Sequence, residues 1–380
     1  MTNNIDLSVQ ILGHTFRNPV IPAAGPNVGS GTMVRRTAEG GAGGLLTKTI
    51  SSIAAPVPHP NMVRVDKNNL LNTELWSELS PERWFEQEYD LALAAAKEYQ
   101  LPIIASLGYT AEELAALGPR LEQIGIDMLE FSIHYLDPQT LKETSQALRN
   151  AVSIPIFAKL SPHAGDLGEI AKVLDPYVDG FTCINSFGPT LAIDIESSAS
   201  PLGSQYGYGW ISGPAIKPLA VRSVFEVARV TDKPVIGVGG VSSGEDVIEY
   251  FMAGATLVGV CTAAILNGSG IYGKIAQQTA DWLEKHDYDS IEEVKGLYLE
   301  KYRHGQEVVT TVEQTAWVDE SLCKACSLCE KVCQFDALHA PKKQIAHVKM
   351  ENCTACGLCV SVCPFGALEL RQREEVLREG

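Results

Sequence analysis

Over the first 290 residues, short apolar runs alternate with longer amphipathic stretches. The apolar runs fall at 20–24, 44–49, 102–107, 128–132, 155–160, 180–185, 234–239 and 257–261. Between them lie segments with helical periodicity, among them 112–124, 166–173, 221–229 and 244–252. Strand runs separated by helical stretches predict repeated βα units around a parallel sheet. Eight such units fit a closed TIM (β/α)8 barrel, and a doubly wound α/β sheet gives the same alternation.

The polar residues favour the barrel. Those that end the apolar runs are Ala24-Gly25, Thr47-Lys48-Thr49, Ser132, Lys159, Asn185-Ser186, Gly239-Gly240 and Cys261-Thr262. A TIM barrel places its chemistry at the C-terminal ends of its strands. A single lysine closing an apolar strand is usually a snorkelling surface residue. Lys48 and Lys159 together, with an asparagine and a glycine pair at equivalent ends, point into a common mouth. The Gly-Val-Gly239-Gly240 turn and Val-Cys261-Thr262 suit a phosphate site built from backbone N–H groups.

A second pattern begins after residue 312. Cys323, Cys326, Cys329 and Cys333 are spaced C-x2-C-x2-C-x3-C, and Cys353, Cys356, Cys359 and Cys363 repeat that spacing 30 residues later. The repeat continues past the cysteines, with Cys-Gln-Phe-Asp-Ala-Leu matching Cys-Pro-Phe-Gly-Ala-Leu. Two-residue gaps bring three thiolates to one face of a cubane, and the fourth reaches the other cluster. Cys323, Cys326, Cys329 and Cys363 are therefore expected to hold one [4Fe–4S] cluster, and Cys353, Cys356, Cys359 and Cys333 the other. Structural zinc, which needs one set of four, and disulfides are the weaker readings. Gln334 follows Cys333 where Pro364 follows Cys363, a difference in polarity that can shift cluster potential.

Composition narrows the setting. The chain has 380 residues, 45% hydrophobic and 20% charged, with a formal net charge of −16. That balance disfavours nucleic acid, whose binding needs a basic face. It suits a basic electron carrier, although an acidic surface more often serves solubility. No run approaches the ~20 apolar residues of a membrane span, and no secretory signal is read in residues 1–17. With eight of ten cysteines in regular clusters, the expected compartment is the reducing cytoplasm. The expected domains are a barrel over 1–286, a linker helix over 287–312, an α+β bacterial-type 2[4Fe–4S] ferredoxin domain over 313–370 and a tail over 371–380.

Phe16-Arg-Asn-Pro-Val-Ile-Pro-Ala-Ala-Gly25, Gly-Gly-Leu-Leu-Thr-Lys48-Thr, Ile-Ser212-Gly-Pro-Ala-Ile-Lys-Pro-Leu-Ala and Val-Gly239-Gly-Val-Ser-Ser-Gly together resemble the dihydroorotate dehydrogenase family. Leu71-Asn72-Thr-Glu74-Leu, Phe157-Ala-Lys159-Leu-Ser-Pro and Ile184-Asn185-Ser186 are similar to the C-terminal half of the dihydropyrimidine dehydrogenases, where this barrel precedes two [4Fe–4S] clusters. The resemblance implies FMN held by Ala24, Gly25, Lys48, Lys159, Gly239, Gly240, Cys261 and Thr262. It implies substrate contacts from Asn72, Glu74, Asn185 and Ser186, and from Ser132 where these families carry asparagine. It also makes a homodimer an expectation, which nothing else in the sequence supports.

The pattern breaks after the fourth apolar run. These families carry a proton-exchanging cysteine or serine in Asn-x-Ser-Cys-Pro. Here the stretch reads Glu130-Phe-Ser132-Ile-His134-Tyr135-Leu-Asp-Pro, and Tyr135 falls where the cysteine belongs. Tyr135, His134 or an acidic group of the substrate itself could supply the proton; His163 is a weaker candidate. The leading expectation is an oxidoreductase acting on a C–C double bond conjugated to a carbonyl in a ring-like substrate. Electrons would pass through the clusters and FMN. No Gly-x-Gly-x-x-Gly unit follows a strand, so the electron partner is expected to be a ferredoxin or an NAD(P)H-oxidising flavoprotein subunit. An electron-transfer subunit with a non-catalytic barrel is the alternative, and a zinc-binding barrel hydrolase a remote one.

Overall fold

The computed structural model describes residues 5–132, 138–163, 165–308 and 311–379. The chain divides between His304 and Gly305 into two compact units. In the first, eight strands follow the eight apolar runs: β1 (Val20–Pro22), β2 (Leu45–Leu46), β3 (Ile103–Leu107), β4 (Met128–Ser132), β5 (Ile156–Leu160), β6 (Gly180–Cys183), β7 (Val235–Val238) and β8 (Leu257–Val260). They form one sheet in the order β1-β8-β7-β6-β5-β4-β3-β2, and every neighbouring pair is parallel.

The two edge strands come back together. Gly43 N–H donates to Val20 O at 2.7 Å, and Arg17 N–H to Gly43 O at 3.2 Å, so the sheet is a nearly closed TIM-like barrel. β3, β4 and β5 are buried along their whole length, as strands covered on both faces must be. The doubly wound alternative leaves two free edges and is not what the chain adopts.

Helices cover the outside, and several start where their local chemistry supplies a cap. Ala111–Gln123 begins with a capping box between Thr110 and Glu113, and Gly244–Met252 with one between Ser243 and Asp246. The segment expected as one linker helix is instead a 3-10 turn, Ile291–Glu293, and a short helix, Leu297–Tyr302. Gly296, at φ 76°, separates them, a conformation that ends one helical turn rather than continuing it. Ile291 and Leu299 are buried in the barrel core, which accounts for the amphipathic pattern.

A four-stranded antiparallel sheet was not anticipated. It runs Phe187–Leu191, Tyr208–Ser212, Leu70–Asn72, Met62–Arg64, joining the excursion after β2 to the excursion after β6. It positions Asn72.

The second unit is built as two similar halves. Leu328–Val332 and Leu358–Val362 are short helices at matching places in the 30-residue repeat. Gln314–Val318 pairs with Leu368–Gln372, and Leu338–His339 with His347–Val348, both antiparallel. Ala316, Leu338, Ala340, Ala346 and Leu368 form its small core together with Cys329 and Cys359.

Candidate functional site

The C-terminal ends of the barrel strands open into a cavity of about 1140 Å³. Ala24, Gly25, Lys48, Asn72, Glu74, Ser132, Lys159, Asn185, Ser186, Gly239, Gly240, Cys261 and Thr262 all line it. Tyr135 and His134 lie outside the described residues. The cavity is larger than a single small ligand needs, so a bulky cofactor and a second molecule fit side by side.

Its two lysines do not stand alone. Lys48 Nζ lies 2.7 Å from Glu74 Oε2, with both side chains almost fully buried. Glu74 also accepts from Asn61 Nδ2 at 2.6 Å, so both its oxygens are engaged. Lys159 Nζ lies 3.6 Å from Glu130 Oε1, and Ser106 Oγ donates to the same carboxylate oxygen at 3.4 Å. Buried charges need partners of this kind, because leaving water unpaired costs several kcal/mol. Glu130, Asn61 and Ser106 were missed by the sequence reading. The signal for Glu130 was one acid inside the apolar run Met-Leu-Glu-Phe-Ser, spaced to share a face with Ser132.

Asn72 Nδ2 donates to Trp210 O at 3.0 Å, and its Oδ1 accepts from Glu74 N–H at 3.2 Å. That arrangement leaves one amide hydrogen of Asn72 for a ligand. Asn185 Oδ1 accepts from Ser186 N–H at 2.9 Å, which leaves its amide group free to donate. His163 also reaches the cavity. Its Nε2 accepts from Gly188 N–H at 3.2 Å, so the proton of the neutral ring sits on Nδ1.

At the opposite side the backbone forms a cradle. Gly240 has φ 76°, and a Cβ there would come within 2.8 Å of Gly213 O and Lys217 Cβ. Tyr250 Oη donates to Gly239 O at 2.6 Å, and Lys217 Nζ to Asp246 Oδ1 at 2.7 Å, fixing the turn. The helix Thr262–Asn267 makes its first internal bond from Ile265 N–H to Cys261 O. The N–H groups of Thr262 and Ala263, both on the cavity wall, therefore have no partner within the helix. This donor set fits the phosphate of a flavin nucleotide, and the two lysines fit its carbonyl edge. Burial pushes the Cys261 thiol up to about 11, and nearby Lys159 and Lys48 only partly offset this; its Sγ donates to Asn27 Oδ1 at 3.2 Å.

A farther part of the wall carries Trp76 and Tyr109, packed edge to face at 5.5 Å. Glu113 accepts from Ser51 Oγ at 2.5 Å, Ser52 Oγ at 2.5 Å, Tyr109 N–H at 2.8 Å and Thr110 N–H at 3.0 Å. Burial raises its pKa, but these bonds outweigh burial and hold the carboxyl at about 2.

In the second unit, two small cavities take the cysteines in crossed sets. One is walled by Cys323, Cys326, Cys329 and Cys363, the other by Cys333, Cys353, Cys356 and Cys359. The thiols stand around these spaces rather than meeting at a point. Among the described residues no three His, Cys, Asp or Glu side chains converge on a single-ion site. Hydroxyls beside the cavities, Ser327 Oγ and Thr315 Oγ1, are buried without a hydrogen-bond partner. Orphaned donors and thiols ringing an apolar space fit an iron–sulfur group with its sulfide acceptors. Burial pushes the Cys359 thiol up to about 11. At Cys353 burial is outweighed by the N–H groups of Ala316 and Ala355 and by the charge of Arg373, which hold the thiol below its ordinary value.

A flavin-shaped barrel mouth and a cysteine-rich cluster unit in one chain define an iron–sulfur flavoprotein oxidoreductase. Comparison with known proteins agrees: residues 134–283 match the dihydroorotate dehydrogenase family and residues 316–370 the 4Fe-4S dicluster domain. Among curated relatives, the dihydroorotate dehydrogenase B (NAD(+)) catalytic subunit of Thermoplasma volcanium is 33% identical over 308 residues, covering 78% of this chain and 99% of that protein. Its counterparts from Methanothermobacter thermautotrophicus and Methanocaldococcus jannaschii are 34% and 32% identical, each covering 77% of this chain and 98% and 97% of their own length. The chain belongs to the dihydroorotate dehydrogenase family.

Proposed function

We propose that this protein exchanges hydrogen across a C–C double bond conjugated to a carbonyl in a planar, uncharged ring. FMN in the barrel mouth supplies the hydride chemistry, and two [4Fe–4S] clusters pass the electrons. One observation carries the choice of an uncharged ring: Lys48 already has a buried counter-charge in Glu74 at 2.7 Å. A ring bearing a carboxylate, such as the dihydroorotate for which the relatives are named, would meet a neutral pair there rather than a free cation. Ring amides and carbonyls instead find the spare donors of Asn72 and Asn185. Ser132 and Ser186 on the same wall add hydroxyls that donate or accept.

In this reading Gly239, Gly240 and Thr262 hold the phosphate, Ala24, Gly25 and Cys261 pack against the cofactor, and Lys48 and Lys159 meet its carbonyl edge. The proton moves through Tyr135 or His134, which occupy the segment where the family's cysteine stands. A ferredoxin or an NAD(P)H-oxidising flavoprotein subunit exchanges electrons with the clusters. The relatives' description as catalytic subunits supports a separate electron partner.

The test is anaerobic. Holoprotein with reduced flavin is mixed with uracil, thymine, orotate, cyclic amides and aromatic acid derivatives, and flavin reoxidation is followed in the visible. Uncharged rings are expected to react about tenfold faster than orotate or more, the factor that about 1.4 kcal/mol gives. Orotate as the best substrate would refute the neutral-pocket reading. Silence across the panel would favour an electron-transfer subunit. With the responding ring, Tyr135→Phe or His134→Asn, whichever supplies the proton, is expected to slow reoxidation about 100-fold or more, within the range of general acid catalysis.

A further inference from the structure

The two halves of the cysteine-rich unit are related by a shift of 30 residues, and the repeat brings equivalent positions into direct comparison. Exposure does not distinguish them: Cys326 and Cys356 are both exposed, and Cys329 and Cys359 both buried. Hydrogen bonding does. Ala316 N–H donates to Cys353 Sγ at 3.4 Å, and Ala337 N–H to Cys333 Sγ at 3.4 Å. The equivalent residues, Ala346 and Ala367, make no bond to sulfur among the described residues. Both thiols so engaged belong to the same crossed set, that of Cys333, Cys353, Cys356 and Cys359; in the other set the Cys329 thiol meets the N–H groups of Glu330 and its own backbone, as Cys359 meets that of Val360.

Three further differences fall on that set. Thr315, whose buried hydroxyl has no conventional partner, stands where the other half has Ile345. Gln334 keeps a backbone N–H after Cys333, whereas Pro364 after Cys363 has none. Above all, Arg373 folds over this half. Its Nη2 donates to Cys353 O at 2.6 Å, Nη1 to Met350 O at 3.0 Å and Nε to Gln314 O at 3.2 Å. These three acceptors are neutral carbonyls, and no carboxylate pairs with Arg373 among the described residues. Its repeat counterpart, Lys343, is exposed and makes no ion pair or hydrogen bond among them. Two features on the wall of the first cavity work the other way: the orphaned Ser327 hydroxyl, where Gly357 is its counterpart, and Lys324, where the second cavity has Thr354. Lys324 is exposed and its charge is screened by water, whereas Arg373 is half-buried and fixed by three hydrogen bonds, so Arg373 is the stronger influence.

Reducing a cluster adds one negative charge to it, so nearby cations and N–H donors stabilise the reduced form and raise the potential. We infer that the cluster site of Cys333, Cys353, Cys356 and Cys359 is the higher-potential site, and that Arg373 sets the difference between the two. The first electron to enter the unit then rests on that cluster, and the other acts as the lower-potential relay.

This inference rests on the two-cluster reading of the unit, which the iron count tests separately: eight irons per chain support that reading and four or fewer refute it. The full holoprotein is titrated anaerobically with dithionite and mediators while the cluster signals are followed by electron paramagnetic resonance. The wild type is expected to show two separate one-electron midpoints. Arg373→Gln should lower the higher one, changing that cluster's reduced-to-oxidised ratio about tenfold at fixed potential, equivalent to about 59 mV for one electron. Arg373→Lys should retain most of the separation, and Lys343→Gln should leave both midpoints in place. Coincident midpoints in the wild type overturn the inference, and that measurement decides even where Arg373→Gln does not assemble. A shift of the lower midpoint, or of neither, in Arg373→Gln overturns it as well.

Discussion

Glu130 is a single acid in the middle of β4, 1% exposed, and its only cationic neighbour among the described residues is Lys159 across the β4–β5 ladder. Removing one partner of a buried pair leaves an uncompensated charge, which typically costs about 3–5 kcal/mol. Glu130→Ala is therefore expected to destabilise the flavin-free protein by about 3–5 kcal/mol in urea unfolding, while Glu130→Gln, which keeps a polar partner for Lys159, costs less. Equal and small losses in both variants would mean that water, not Glu130, balances Lys159. The residues legible in the sequence were those in conspicuous places. Lys48 and Lys159 each close an apolar run, and Gly239-Gly240 follow another. Glu130 was not legible, because one acid in five residues reads equally well as an outward-facing position. Asn61, which binds Glu74, and Ser51 and Ser52, which bind Glu113, are brought there by chain excursions that no local period describes. The Lys48–Glu74 pair joins residues 26 apart, a contact fixed by the fold rather than by spacing.

At the scale of elements, Glu113 staples two loops. It sits in the first turn of the helix Ala111–Gln123 and binds Ser51 and Ser52 from the loop after β2, besides capping its own helix. Tyr109 and Trp76, the aromatic part of the wall, are thereby held in register. Because its folded pKa is depressed to about 2, its contribution to stability is fully present above the ordinary glutamate range and is lost as pH falls from about 4.5 towards 2. Allowing for its partial exposure, Glu113→Gln is expected to cost about 1–2 kcal/mol at pH 7. The gap from wild type should close as the pH falls through that window, followed by far-UV circular dichroism melts. A gap that stays constant down to pH 2.5 would contradict the staple. The barrel strands were readable because each is a continuous apolar run flanked by helical stretches. The antiparallel sheet at the mouth was not, since its strands span only three to five residues and half their side chains are exposed. The linker segment misled for a related reason: Ile291 and Leu299 supply a helical apolar face, but Gly296 interrupts the backbone that would carry it.

Across the whole molecule the legible features were the repeats. Eight βα units and a duplicated cysteine pattern leave few alternatives for either unit, and each folds around its own core. What the repeats do not specify is chemistry at the point of departure from the family, the segment carrying His134 and Tyr135. In the proposed function the barrel and the cysteine-rich unit form one electron circuit ending on an uncharged ring. Its most direct test starts from holoprotein reduced with dithionite and freed of excess reductant, whose cluster resonance is recorded before and after adding the ring that best reoxidises the flavin. The reduced-cluster resonance is expected to disappear together with flavin reoxidation, with one reduced ring formed for every two electrons withdrawn. Clusters that stay reduced while the flavin is reoxidised would contradict it.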